Sequence, residues 1–125
     1  MGLLEVIYGQ VVAKANNYQA VPDSSGGRRI IKSENVRNYE RSFISQCKIY
    51  KGKYISKPFR LIVKVFESSS RYDLDNSLKT ILDCLQYVRA IKDDNLCVGI
   101  EAEKKIDSRN PRIEFMIEET EPTLF

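Results

Sequence analysis

The chain contains no histidine in its 125 residues. That removes imidazole acid–base chemistry, histidine-activated nucleophiles and most zinc sites. Cysteine is scarce: Cys47, Cys84 and Cys97 are the only three. An odd count at wide spacing argues against a disulfide framework. Scattered thiols of this kind read as core residues rather than ligands. No apolar run approaches the roughly 20 residues that a membrane-spanning helix requires. The stretch Met1 to Val6 lacks the basic start and cleavage site of a signal peptide, and position 6 lacks the Ser or Thr of a myristoylation signal. The expected location is the cytoplasm, with no membrane partner. A catalytic metal in such a chain is expected to be a hard cation held by oxygen, Mg²⁺ or Mn²⁺.

Net charge is small, at +3, but it is unevenly placed. Residues 1–64 hold 12 Lys/Arg against 4 Asp/Glu, a surplus of +8; residues 65–125 hold 8 against 13, a deficit of −5. An enzyme acting on phosphodiesters needs both features, a basic body to attract the polyanion and an acidic pocket to hold a cation. The plainer account is two surfaces that neutralise one another across the fold.

The apolar pattern predicts one domain over residues 1–125, long enough for a real core. Leu3 to Val12 reads as a strand, Lys14 to Asp23 as irregular, and Ser24-Ser25-Gly26-Gly27 as a turn before a short strand, Arg28 to Lys32. Ser33 is a plausible N-cap for a helix to about Tyr50, with Val36, Tyr39, Phe43, Cys47 and Tyr50 on one seam. Phe59 to Glu67 alternates as a strand. A second helix is expected from Asp75 to about Arg89, burying Leu78, Ile81, Leu82, Leu85 and Val88. Cys97 to Lys105 and Arg112 to Glu118 read as two strands joined in a hairpin by residues 107–111. The fold class is therefore α+β, a mixed sheet of four to five strands with two main helices packed on it.

The richest segment is Arg71-Tyr72-Asp73-Leu74-Asp75-Asn76-Ser77-Leu78-Lys79, with Asp83 behind it and Asp93-Asp94 further on. In an extended segment the carboxylates of Asp73 and Asp75 point the same way and can share a cation. Lys79 follows Asp75 by one helical turn. Taken singly, each residue has an ordinary role: Asp75 as an N-cap, Asp73 near a helix N-terminus, Asp75 with Lys79 as an ion pair, Asp83 as a solvated residue, Asp93-Asp94 as a turn. Gathered together they need a cation, because two carboxylates 4 Å apart repel by about 4 kcal/mol at an effective dielectric of 20. Such a site requires the strand before Asp73 and the strand after Asp94 to be neighbours, and Asp94 to close on the other two. If Asp94 instead faces away from them, only a DNA-adhering fold remains.

At these residues the chain resembles the RusA family of Holliday-junction resolvases of bacteria and their phages. The resemblance is carried by Arg71, Asp73-Leu74-Asp75-Asn76, Lys79, Asp83-Cys84-Leu85 and Asp93-Asp94, with Asn16-Asn17-Tyr18 resembling the family's early Asn-containing loop. Two positions depart from the pattern: Tyr72 stands where a basic residue is common, and Asn95-Leu96-Cys97 where a Gln-Val pair is often found. The resemblance implies metal ligands at Asp73, Asp75 and Asp94, a catalytic partner at Lys79, Mg²⁺ dependence, a homodimer, and endonuclease action on branched DNA such as the four-way junction.

Lys14, Asn17, Arg28, Arg29, Lys32, Arg71 and Lys104 are the candidate DNA contacts, with Arg28-Arg29 beside the Gly-Gly turn the foremost. Tyr18 and Tyr72 read first as core residues and second as rings that stack on an unpaired base. Three rivals stand beside a resolvase. One is a non-catalytic nucleic-acid-binding module, which leaves the acidic residues without a purpose. Another is a metal nuclease for other branched DNA. The third is an Asp-x-Asp glycosyltransferase, which generally needs a larger doubly wound domain.

Overall fold

The computed structural model describes residues 2–13, 18–22 and 24–121. Six strands and two helices follow in the order β1 (Glu5–Tyr8), β2 (Tyr18–Pro22), β3 (Arg28–Lys32), α1 (Glu34–Gln46), β4 (Phe59–Glu67), α2 (Leu74–Tyr87), β5 (Cys97–Ile106) and β6 (Arg112–Glu119). The main sheet is mixed, in the order β1-β6-β4-β5. β4 runs parallel to β5 and antiparallel to β6, and β6 runs antiparallel to β1. β2 and β3 form a separate antiparallel hairpin. Among the described residues no helix is long and apolar enough to cross a membrane.

Strand β4 shows why the sheet lies as it does. Phe59, Leu61, Val63, Val65 and Glu67 are buried, while the residues between them are partly or fully exposed. This period of two fixes one covered face. Both helices meet that face: Tyr39 and Phe43 of α1 and Ile81, Cys84 and Leu85 of α2 join Ile113, Phe115 and Ile117 of β6 in one core. Phe43 stacks on Phe115 at 6.1 Å between ring centroids.

Three expectations need correction. Lys14 to Asp23 is not irregular throughout, since Tyr18–Pro22 is a strand paired with Arg28–Lys32; residues 14–17 and 23 lie outside the described residues. Residues 107–111 do not close a hairpin, because β4 lies between β5 and β6. The connection instead passes the end of β4, where the Asp107 N–H donates to the Glu67 carbonyl at 2.9 Å. Arg112 holds the turn by binding Asp107 and Glu114 and lying 3.7 Å from the Phe66 ring centroid. Periodicity identifies strands but not which of them pair.

The first helix also stops short of Tyr50, at Gln46. The cause is Glu5, a buried carboxylate on β1. It accepts the N–H groups of Lys48, Ile49 and Tyr50 and the Cys47 thiol. Those amides then cannot continue the helical ladder. Burial, followed by the hydrogen bond to Glu5, pushes the Cys47 thiol up to about 12. Cys84 is buried, and burial also raises the half-buried Cys97. No disulfide joins the three thiols, and neither Cys47 nor Cys97 is activated as a nucleophile.

The β4–α2–β5 unit positions the acidic residues. β4 and β5 are neighbours, as the acidic motif requires. Because they are parallel, α2 carries the chain from the C-terminal end of β4 back to the N-terminal start of β5.

Candidate active site

The loop leaving β4 carries the first acidic pair. Asp73 is the N-cap residue of α2, in extended backbone, yet its side chain makes no capping hydrogen bond. Its Oδ2 accepts only a long bond, 3.4 Å, from the Asn76 side-chain amide. Asp75 lies two residues further on, within the first turn and not at the cap, and its Oδ1 accepts the Asn76 N–H at 3.0 Å. Both carboxylates are exposed at the positive end of the helix. Lys79, also exposed, stands one turn on and has no ion pair or side-chain hydrogen bond among the described residues.

A buried network fixes this corner. Glu67 is fully buried at the end of β4. It accepts hydrogen bonds from Ser77 Oγ (3.1 Å) and Gln10 Nε2 (3.0 Å). Gln10 in turn accepts the Ser68 N–H at 2.7 Å, and Ser77 Oγ lies 3.2 Å from the Asp73 carbonyl. From β5, the Lys104 ammonium donates to the carbonyls of Ser70 and Tyr72. Loop residues 68–73 are therefore tied from three sides. The sequence holds a signal for Glu67 that composition hides: it is a carboxylate on the apolar register of β4. Gln10 and Ser77 carry no comparable signal.

Tyr72 lies outside the apolar core, half-exposed, with the Arg71 guanidinium 5.2 Å from its ring centroid. The hydrogen bond from Arg71 is the main cause that holds the Tyr72 hydroxyl below the ordinary tyrosine value. A cleft of about 370 Å³ opens beside them, lined also by Val11, Val12, Ala13 and Asn35.

The second acidic pair sits in the turn before β5. Asp93 caps this single 3-10 turn, Asp94–Leu96, by accepting the Asn95 N–H, and the Asp94 N–H donates to Gln86 Oε1. A hydrogen bond shared with Asp93 holds the Asp94 carboxyl above the usual aspartate range, aided by burial and by the charges of Asp93 and Asp83. Asp93 is lowered, chiefly by the Asn95 N–H.

One chain does not bring these two corners together. Asp73 follows the C-terminal end of β4 and Asp94 precedes the start of β5, at the opposite end of the sheet. The 14 residues of α2 between them rise about 21 Å. Among the described residues no group of three His, Cys, Asp or Glu is placed to hold a metal ion. The expected convergence of Asp73, Asp75 and Asp94 within the chain is therefore corrected, and one copy of these residues by itself supports no more than the DNA-adhering fold that was the alternative. A parallel βαβ unit returns its helix to the far edge, so neighbouring strands alone do not join the helix ends.

Of the candidate DNA contacts, Lys14 and Asn17 lie outside the described residues. Arg28 is exposed at the start of β3, with Arg29 and Lys32 on the same strand. Arg71 is exposed beside Tyr72. Lys104 is engaged with the loop carbonyls described above.

A search of curated proteins finds no match to this chain. The family model described as endodeoxyribonuclease RusA matches residues 9–118, a span that takes in both helices and both acidic corners, and the chain belongs to this family of DNA-cleaving hydrolases.

Proposed function

We propose that the protein is a Mg²⁺-dependent endonuclease that resolves four-way DNA junctions, and that it acts as a homodimer whose sites are each built from two chains. The observation that carries this is the separation of two acidic corners within a family of nucleases. A single chain offers Asp73 and Asp75 at one end and Asp94 at the other. A two-fold axis across the β4–α2–β5 unit brings one copy's Asp94 to the other copy's Asp73 and Asp75, twice over. A four-way junction has approximate two-fold symmetry and needs two paired cuts, which two such sites supply.

The donor set fits a hard cation. It consists of carboxylates, and that of Asp73 is left uncommitted by helix capping. Asp73 and Asp75 from one copy and Asp94 from the other would hold the ion; Mn²⁺ would fit the same oxygens. A bound divalent cation supplies a lowered water pKa and offsets charge on the scissile phosphate. Lys79, with its ammonium open to solvent on the face of Asp75, stabilises the negative charge that develops on the phosphoryl oxygens during water attack. The Glu67–Gln10–Ser77 network and Lys104 hold the Asp73 loop in place, so the pair is preorganised before substrate arrives. Arg71 and the β3 cations Arg28, Arg29 and Lys32 contact the phosphate backbone, Lys14 and Asn17 are further candidates for such contacts, and the cations make binding steeply salt-dependent.

The decisive assay is Mg²⁺-dependent cleavage of a mobile four-way junction compared with linear duplex of the same sequence. Paired symmetric nicks on the junction support this function. Tight binding without cleavage would favour a non-catalytic DNA-binding module. Equal cutting of flaps or forks would favour a nuclease of different substrate choice.

A further inference from the structure

We infer that the cleft beside Tyr72 receives one nucleobase of the bound DNA, stacked on the Tyr72 ring with its polar edge toward the Asn35 amide, and that this contact makes cleavage selective for sequence. This rests on the DNA-cleaving function proposed above and adds a base-reading subsite to it.

Tyr72 is held by its backbone. It immediately precedes Asp73, and its carbonyl accepts a hydrogen bond from the Lys104 ammonium of β5. The ring nevertheless stays half-exposed outside the core. The Arg71 guanidinium braces it, 5.2 Å from the ring centroid and donating to the hydroxyl at 3.3 Å. A fixed aromatic ring left open to water is a platform on which an unpaired base gains by stacking. Arg71 beside it supplies positive charge for the phosphate of the same nucleotide.

The rest of the cleft is equally well anchored. Its apolar lining is Val11, Val12 and Ala13, on the segment after β1. Val11 is buried, and the Val12 carbonyl accepts the Thr80 hydroxyl of α2 at 2.9 Å. Gln10, next in line, is committed to Glu67 and the Ser68 N–H. Asn35 lines the cleft from the first turn of α1, where the Ser33 hydroxyl caps the Val36 N–H, and it is exposed. The volume of about 370 Å³ is at the small end of ligand sites, which span roughly 300–1,000 Å³. It suits a single heterocycle and not a base pair.

The chemistry of the lining separates affinity from choice. Stacking on Tyr72 and contact with the valines are open to any base. A carboxamide sets one donor beside one acceptor. The Watson–Crick edge of adenine or cytosine offers an amino group beside a bare ring nitrogen, and that of guanine or thymine a keto oxygen beside a ring N–H. The Asn35 amide held in one orientation therefore matches one of these pairs and opposes the other. A phosphate alone would use the Arg71 charge and neither the ring nor the amide.

The test uses the full chain and four-way junctions that carry 2-aminopurine at each nucleotide around the exchange point in turn, without divalent metal. Wild-type protein should quench the fluorescence at one position. Tyr72→Phe should keep that signal. Tyr72→Ala should lose it and bind the junction about 10- to 100-fold more weakly. With Mg²⁺ and junctions randomised around the exchange point, the wild type should favour either A and C or G and T at one position. Asn35→Ala should flatten that preference, the rate on favoured junctions falling to that on the others. Neither side chain is buried, so melting temperatures should hold. A signal absent from the wild type, a signal kept by Tyr72→Ala, or an unaltered sequence profile in Asn35→Ala would overturn the subsite while leaving junction cleavage standing. A wild type that cuts no junction yet gives the Tyr72-dependent signal would keep the cleft as a base site and end the cleavage proposed above.

Discussion

The two ends of α2 are both acidic, but they are built differently. At its N-terminus Asp73 and Asp75 are presented outward, backed by buried Glu67 of β4 with its partners Gln10 and Ser77, and by Lys104 of β5. At the other end, Asp93 and Asp94 turn on each other and feel Asp83, which holds the Asp94 carboxyl above the usual aspartate range. The first corner is braced by its neighbours, and the second carries carboxylates that repel one another. Neither holds enough oxygen ligands alone. The difference teaches that acidic clustering along a sequence is not clustering in space: a helix of 14 residues, rising about 21 Å, stands between the corners of one chain.

The sharpest break in this comparison is Asp75→Asn. It should abolish junction cleavage yet leave DNA binding unchanged or tighter, because a negative charge is removed near phosphate; unchanged nicking would remove Asp75 from the site. Lys79→Ala comes next, with an expected loss of about 10²–10³-fold in kcat and Mg²⁺ affinity retained. Calorimetric loss of Mg²⁺ binding in that variant would reassign Lys79 to a structural role.

The smallest effect concerns the second corner without metal. The folded state holds the Asp94 proton more tightly than an ordinary aspartate does. Stability contributed by that proton falls as pH rises from the ordinary aspartate range through the raised value, and it is gone at neutrality. Asp94→Asn should therefore raise the metal-free melting temperature slightly at neutral pH, under about 1 kcal/mol for so exposed a group. The gain should vanish in acid, where both forms are neutral. A melting temperature lowered at neutral pH would show that the Asp94 charge is satisfied within one chain.

Much of this was legible before any coordinates. The alternation from Phe59 to Glu67 marks β4 to the residue, because a period of two leaves little choice of face, and the short segment Arg28 to Lys32 after the Gly-Gly turn is β3. The helices were visible through their apolar seams, but their ends were not. Glu5 stops α1 by taking the Lys48 N–H, 43 residues along the chain, and α2 ends at Tyr87 because Arg89 takes a positive φ of 56°. The acidic motif and its family were readable because Asp73-Leu74-Asp75-Asn76 keeps its chemistry at short range. Where Asp94 goes was not, since that depends on strand order, which a single periodic pattern does not encode. Glu67 was read only as the end of a strand, although its place on the apolar register marked it as a buried carboxylate in need of partners.

The central claim is that each site takes Asp73 and Asp75 from one chain and Asp94 from another. It is tested most directly by mixing two inactive proteins, Asp73→Asn and Asp94→Asn, after allowing subunit exchange. Each mixed dimer would then carry one wholly intact site and one doubly damaged site, so Mg²⁺-dependent nicking of a four-way junction should reappear on a single strand. Continued inactivity of the mixture, with mixed dimers shown to form, would contradict the shared site.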